Sequence, residues 1–427
     1  MADKVPGKAW VVVFSGTAVN LCLGILYAWS VWAKALINEK LAGQTMTGIN
    51  EGWVYLTNAQ AATPFSLCVL VFALLMIPGG RIQDKFGPKV GAIVGGLFLA
   101  LGCIIAGLTK SYAGLIIGFG IGGGIGMGIG YAAPTPAALK WFGPHKRGLI
   151  AGLVVGGYGG AALYISPLAA YLLGNGITYS FVWLGIFFAV VVIIAGSLLA
   201  WPEPGYVPPA APVKAGVAPA KAAGTLVDWA PSEILKTPQF FGLVLMFIAT
   251  TQSGLMIISI AAPVLASAAK GIPFLVANAW LLASYGGLIN ALGRVGTGMY
   301  SDKIGRGNAY AVNCIVSALC LFIMPFVIKG GNIFLLFVAV GIAYWQYGGG
   351  LALMPSFTAD FFGPKNLGMN YGLVFIGWGL GFFMARIAGT IKDLYGTYDY
   401  AMYLSALVLI VGVIISWVNK RPMHVTE

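Results

Sequence analysis

Only two charged residues fall well inside long apolar stretches of this chain, and both are arginines, Arg294 and Arg386. None of the twelve acidic residues sits near the middle of such a stretch, and the two histidines, His145 and His424, lie in a loop and in the tail. An arginine at the centre of a membrane-spanning helix costs about 2.5 to 3.5 kcal/mol on insertion scales, so it is kept for a partner or a use. With no carboxylate at its own depth it wants an anion, and its planar fork matches a carboxylate bidentately as an ammonium does not. Asn290, four residues before Arg294, shares its helical face. Its amide either joins the same ligand or makes an interhelical hydrogen bond. Tyr27, Tyr131 and Tyr347 are amphipathic aromatics in three other apolar stretches, able to wall such a site or simply to pack. No nucleophile, metal set or acid–base pair lies at that depth, which argues for binding without catalysis, metal or cofactor.

The elements that must position these residues are membrane-spanning helices. Hydrophobic residues make up 59% of the chain and charged residues 8%, against roughly 25% charged in soluble domains. Apolar runs of about 20 residues predict twelve spans, at 10–36, 53–78, 90–108, 112–139, 149–173, 181–201, 240–266, 274–300, 310–327, 333–356, 371–391 and 402–417. At 1.5 Å per residue, Arg294 then lies about 12 Å from the point where the eighth helix leaves the membrane at Asp302. Arg386 lies about 22 Å beyond Tyr371, close to the opposite surface, where it can snorkel or pair with Asp393.

Charge sets the expected orientation. With both termini in the cytoplasm, sixteen Lys and Arg fall on that side and six on the other, a positive-inside bias that suits a plasma (bacterial inner) membrane protein. The net charge of +12 reads as topology and contact with anionic lipid heads, not as nucleic-acid binding. The first span is too long for a signal peptide and is expected to be retained. The stretch 202–224, with six prolines among alanine and glycine, cannot build a core and reads as a flexible linker. The five cysteines all fall in apolar spans and are read as small core residues.

The chain also repeats itself. Gly80-Arg81-Ile82-Gln83-Asp84-Lys85-Phe86-Gly87 returns 218 residues later as Gly298-Met299-Tyr300-Ser301-Asp302-Lys303-Ile304-Gly305. Phe142-Gly143-Pro144 returns as Phe362-Gly363-Pro364 at an offset of 220. Two signatures at nearly one spacing mean a duplicated half. The expected fold is an all-α membrane protein, twelve transmembrane helices in two pseudo-symmetric six-helix bundles. The expected divisions are residues 1–201, a flexible cytoplasmic linker 202–236, and residues 237–427. Parallel repeats with a site between them describe a secondary transporter. The glycines of 118–130 contain G-x-G-x-x-G inside an apolar span with no preceding strand, which reads as close helix packing and not as a nucleotide site.

The repeated G-x-x-x-D-K-x-G resembles the loop signature of the major facilitator superfamily. Within it the chain resembles the oxalate/formate antiporter family and the monocarboxylate (lactate) transporters, most closely a bacterial homologue of the latter. The marks are Tyr27-Ala28-Trp29-Ser30, Trp141-Phe142 before Lys146-Arg147-Gly148, Arg294 followed by Ser301-Asp302-Lys303-Ile304-Gly305-Arg306, Leu353-Met354-Pro355-Ser356 and Asn370-Tyr371-Gly372. The resemblance implies that Arg294 binds a substrate carboxylate and that Tyr27, Tyr131, Tyr347 and Phe375 wall the cavity. It also implies that Asp84, Lys85, Asp302 and Lys303 serve as conformational latches. Trp378 stands where the oxalate carrier has a second cation, and Leu26 stands where it has a glutamine, so a less polar, one-carboxylate site is expected. Asn290 and Val31 replace the aspartate and lysine of the animal lactate carriers' proton pair. The implied function is alternating-access transport of small monocarboxylates of the L-lactate and pyruvate class, coupled to protons or to a counter-anion, by a monomer. Carboxylate exchange of the oxalate/formate type is the alternative.

Overall fold

The structure, a computed structural model, describes residues 5–143, 147–208, 228–363 and 366–422, without the side chains of residues 147, 148, 302 and 368. The middle of the expected linker, 209–227, lies outside the described residues. Twelve long helices cross the molecule. The first half holds α1 (Gly7–Leu36), α2 (Asn58–Phe86), α3 (Pro88–Thr109), α4 (Tyr112–Leu139), α5 (Arg147–Leu173) and α6 (Ile177–Leu198). The second holds α7 (Pro238–Ala268), α8 (Trp280–Ile304), α9 (Arg306–Gly330), α10 (Ile333–Phe362), α11 (Met369–Tyr395) and α12 (Asp399–Val418). Among the described residues eleven of these are long and apolar enough to span a membrane. The twelfth is α8, whose apolar character is diluted by Asn290 and Arg294.

The two halves pack alike. α3 lies on α6 as α9 lies on α12, and α2 lies on α4 as α8 lies on α10. Between the halves α5 lies on α8, α2 on α11 and α1 on α7. In the first half the helices close on glycine: a Cβ on Gly95 would come within 2.2 Å of Gly130 N, and one on Gly102 within 2.4 Å of the Gly118 carbonyl. The 118–130 glycines therefore do what tight helix packing requires.

Several ends differ from those expected from apolar content. α2 begins at Asn58 instead of near 53, because Thr57 and Gln60 form a capping box there. It runs on to Phe86, past Arg81 and Lys85, and stops at Gly87, whose φ of +89° suits glycine. The segment before α8 forms a separate turn, Pro273–Ala277. Three helices are irregular: α1 tightens into a 3-10 segment at Gly24–Ala28, α4 contains a π segment at Leu115–Gly123, and α11 is interrupted around Phe375 and Gly381. Two of these irregularities carry site residues.

Candidate functional site

Arg294 projects from the middle of α8, with Asn290 one turn away. Its Nε donates to Asn290 Oδ1 at 3.2 Å, and its Nη2 reaches Tyr27 Oη of α1 at 3.4 Å. A guanidinium has five N–H donors, and the hydrogen bonds formed with the described residues use two of them. Among the described residues no carboxylate lies within 4.0 Å of it; the ion pairs there are Arg306–Asp360, Lys329–Asp399 and Lys392–Glu39. Asn290 is fully buried, and its Nδ2 is left with no partner. The amide thus steadies the arginine instead of bridging two helices, and still holds an unused donor.

Tyr27 sits in the 3-10 segment of α1. Gly24 at its start lets α1 lie against α5, since a Cβ there would come within 2.5 Å of the Tyr158 carbonyl. From that position Tyr27 bonds Tyr347 of α10, oxygen to oxygen, at 3.0 Å. Trp378, in the middle piece of α11, donates its indole N–H to Tyr347 Oη at 2.9 Å. The chain Arg294–Tyr27–Tyr347–Trp378 therefore joins the two halves at mid-depth. Two phenolic protons serve one phenol–phenol bond, so one O–H remains to donate elsewhere.

Aromatic rings close the space around this chain. Phe72 of α2 has ring centres at 5.5 Å from Tyr131, 5.7 Å from Tyr158, 4.9 Å from Trp378 and 6.0 Å from Phe375. Phe375 stacks on Trp378 at 5.1 Å. The cavity there is lined by Tyr27, Phe72, Tyr131, Tyr158, Arg294, Leu351, Phe375 and Trp378, and holds about 10 Å³, at the lower limit for one water molecule. Of the residues expected at the site, Arg294, Tyr27, Tyr131, Phe375 and Trp378 line it. Tyr347 and Asn290 stand behind as hydrogen-bond partners. Leu26 is fully buried in the 3-10 segment and is not part of the lining.

Phe72, Tyr158 and Leu351 were not singled out from the sequence. Tyr158 had a signal, a single tyrosine between two pairs of glycines in mid-span. Phe72 and Leu351 had none beyond being apolar. Arg386 bonds Thr390 Oγ1 at 3.0 Å, one turn along its own helix, and not Asp393.

Asp393 is engaged across the halves. Its carboxylate accepts from Asn58 N and Ala59 N, each at 2.8 Å, and from Asn58 Nδ2 at 2.9 Å, at the start of α2. Asn58 Nδ2 also donates to Glu39 at 2.9 Å, and Asn58 Oδ1 accepts from Tyr398 at 2.9 Å. Burial pushes the Tyr398 phenol above its ordinary range, and the neighbouring Glu39 and Asp393 push it the same way. Lys34 of α1 donates to the Val276 carbonyl before α8. These contacts close the face opposite the chain termini.

Towards the terminal face, α5 and α8 diverge. Ser284 bonds the Leu163 carbonyl at 2.8 Å. A Cβ on Gly287 would meet Ala162 at 3.0 Å, and one on Gly159 would meet Arg294 at 3.3 Å; on the same stripes, Gly152, Gly156 and Gly298 have nothing within 4 Å. The molecule is shut beyond Arg294 on one side and parts on the other. On the parting side Asp84 is exposed and among the described residues accepts from Gln83 at 3.3 Å, and Lys85 lies over Phe86. Neither has a partner across the halves among the described residues. Lys303 is exposed, and the side chain of Asp302 lies outside the described residues.

The sequence profile of the Major Facilitator Superfamily matches residues 9–346. The chain is 27% identical to the oxalate:formate antiporter of Oxalobacter formigenes over 86% of its length and 80% of that protein's. It is 26% identical to apicoplast pyruvate carrier 1 of Toxoplasma gondii, over 89% of this chain and 83% of the carrier. Among solved structures, a bacterial homologue of the human lysosomal transporter Spinster, inward-facing and occupied, superposes with a TM-score of 0.67 at 14% identity, covering 97% of this chain and 96% of that one.

Proposed function

Because this chain belongs to the major facilitator superfamily, we propose that it carries small monocarboxylates of the L-lactate and pyruvate class across the plasma membrane by alternating access. The termini would face the cytoplasm, and the bundles 1–201 and 237–427 would rock about the cavity. The observation that carries the reading is Arg294, a half-buried guanidinium with open donors and no carboxylate beside it. One cation pairs with one carboxylate. Trp378, at the position of the oxalate carrier's second cation, supplies an indole face that suits a short alkyl tail and would leave a second carboxylate unpaired, at a cost of several kcal/mol. The relatives named for oxalate, formate and pyruvate are carriers of small carboxylates.

The 3.4 Å contact between Arg294 and Tyr27 is longer than a good N–H···O bond, a placeholder that an incoming carboxylate displaces. A cavity of about 10 Å³ cannot hold even a small acid as it stands, so binding requires Tyr27 to swing off the arginine. That movement loosens the bond to Tyr347 and so couples occupancy to the relation between the halves. No Asp, Glu or His lies beside Arg294 among the described residues, so a co-transported proton would travel with the substrate or with water. A second reading, carboxylate exchange, is favoured by the same bare guanidinium, since returning empty carries its charge uncompensated.

Uptake of labelled L-lactate into proteoliposomes, with and without an inward proton gradient and with and without internal substrate, tests both. Proton-stimulated net uptake supports symport. Uptake seen only against internal substrate supports exchange. Absence of both, with oxalate accumulated instead, overturns the monocarboxylate reading.

A further inference from the structure

The closed face is held by an arrangement that the repeat signature does not predict. The carboxylate of Asp393, contributed by α11, completes the capping of α2, which belongs to the other half, beside the Thr57–Gln60 box. It takes two backbone N–H groups at 2.8 Å and one amide N–H at 2.9 Å. A helix N-terminus carries the positive end of the helix dipole and unpaired N–H groups, so it prefers a charged carboxylate to a neutral group. Asn58 spreads the contact: its two amide protons go to Asp393 and Glu39, and its oxygen takes the Tyr398 hydroxyl. Lys392 sits 3.5 Å from Glu39.

Asp393 and Glu39 are both exposed, so water on that face can deliver a proton to either. Added to the Asp393 carboxylate, the proton removes the charge facing the α2 terminus and turns an acceptor oxygen into a donor aimed at N–H groups. Added to Glu39, it weakens the hold on one amide proton of Asn58 and removes the Lys392 ion pair, leaving that ammonium on the Gly396 carbonyl at 2.6 Å. We infer that Asp393, Asn58 and Glu39 form a proton-released latch on the face opposite the termini, so that acid on that side favours opening towards it. The groups around it are accounted for. α2 contributes the uncharged Thr57, Asn58 and Ala59, and the loop after α1 contributes Glu39. The α11–α12 corner contributes Lys392 and Tyr398, and Lys34 of α1 is held by the Val276 carbonyl. Lys270, Lys329 and Asp399 lie beyond Lys392 around a cavity of about 360 Å³. The latch deepens the transport reading by giving acid stimulation a place without a carboxylate at membrane depth.

The latch is tested on the full chain without substrate. Thr47→Cys and Gly271→Cys, both exposed and on opposite halves, take spin labels, with the half-buried Cys320 replaced by Ser and the buried cysteines kept. Between about pH 7 and about pH 3, which spans the ordinary carboxylate range, the long-distance population should grow as the pH falls. Asp393→Asn should show it at the higher pH already, enlarged roughly two- to fivefold, the ratio that a charge at a helix end governs, and should respond less to acid. Tyr398→Phe should lengthen the distances less and keep the acid response. If Asp393→Asn does not fold, Glu39→Gln and Asn58→Ala carry the same expectation at high pH. Distances that ignore pH in the parent protein, or Asp393→Asn behaving as the parent, overturn the latch. In proteoliposomes at equal pH on both sides, acid should stimulate lactate counterflow in the parent and not in Asp393→Asn. Failure to carry lactate would sink the substrate reading while the distances still judge the latch.

Discussion

The two six-helix halves share a fold and a loop signature but not an interior. In the first, glycine lets α3 and α4 touch backbone to backbone, and the site receives from it rings, Tyr27, Phe72, Tyr131 and Tyr158, with no charge. In the second, the interior is polar. Sixteen buried polar residues lie there against eight in the first half among the described residues, and they bond one another: Gln346 with Thr250 and Ser253, Gln252 with Ser405, Asn313 with Thr297 and Tyr300. Arg294 rises from that side. Buried polar networks hold side chains in place, and on this side Asn290 steadies Arg294. The first is a closely packed aromatic wall that meets it. Duplication supplied the scaffold twice, and the chemistry was placed once.

The comparison can be broken most directly at its cation. Arg294→Lys keeps charge but loses the bidentate fork, and lactate uptake should fall by about 100-fold, since a charged hydrogen bond of about 1.5 to 3 kcal/mol is lost at a buried site. Near-normal uptake would remove Arg294 from substrate binding. Gly95→Ala tests the other half: with its Cβ 2.2 Å from Gly130 N, overpacking should cost about 1 to 3 kcal/mol in detergent unfolding. Gly152→Ala, with nothing within 4 Å, should cost nothing. Equal effects would mean that glycine packing is not what holds the first half.

Smaller changes sharpen the comparison. Trp378→Lys should move preference towards oxalate by roughly tenfold in competition with lactate, because a second cation then meets the second carboxylate. Tyr27→Phe removes the first half's hydroxyl from the site. It should lower the KM for lactate by at most about threefold, since the hydroxyl removed is the one that the carboxylate must displace from Arg294 at 3.4 Å, and leave the order of substrate preference alone. Arg386→Lys should change uptake by less than about twofold, since among the described residues the arginine bonds its own helix at Thr390. A loss equal to that of Arg294→Lys would place Arg386 in the pathway.

Much of this architecture was legible in the residues. The twelve spans, the duplicated halves and the singular Arg294 follow from local composition, because each helix must satisfy the bilayer by itself and an unmatched charge inside one stands out. Trp378 and the tyrosines could be named but not arranged. Which rings meet depends on how α1, α2, α4, α5, α10 and α11 rotate about their axes, and the low-contrast apolar faces of membrane helices do not specify that rotation. Leu26 illustrates it: one residue from Tyr27, it is buried away from the lining, because successive side chains of a helix point roughly 100 to 120° apart and only the rotation of α1 decides which of the two faces the site. Asp393 and Asn58, 335 residues apart, were equally out of reach, since a cap supplied from another half leaves no spacing to read. Only the tertiary structure decided that this face is shut and the other parts, because that depends on how the ends of the helices pack across the halves, which no residue type or spacing states.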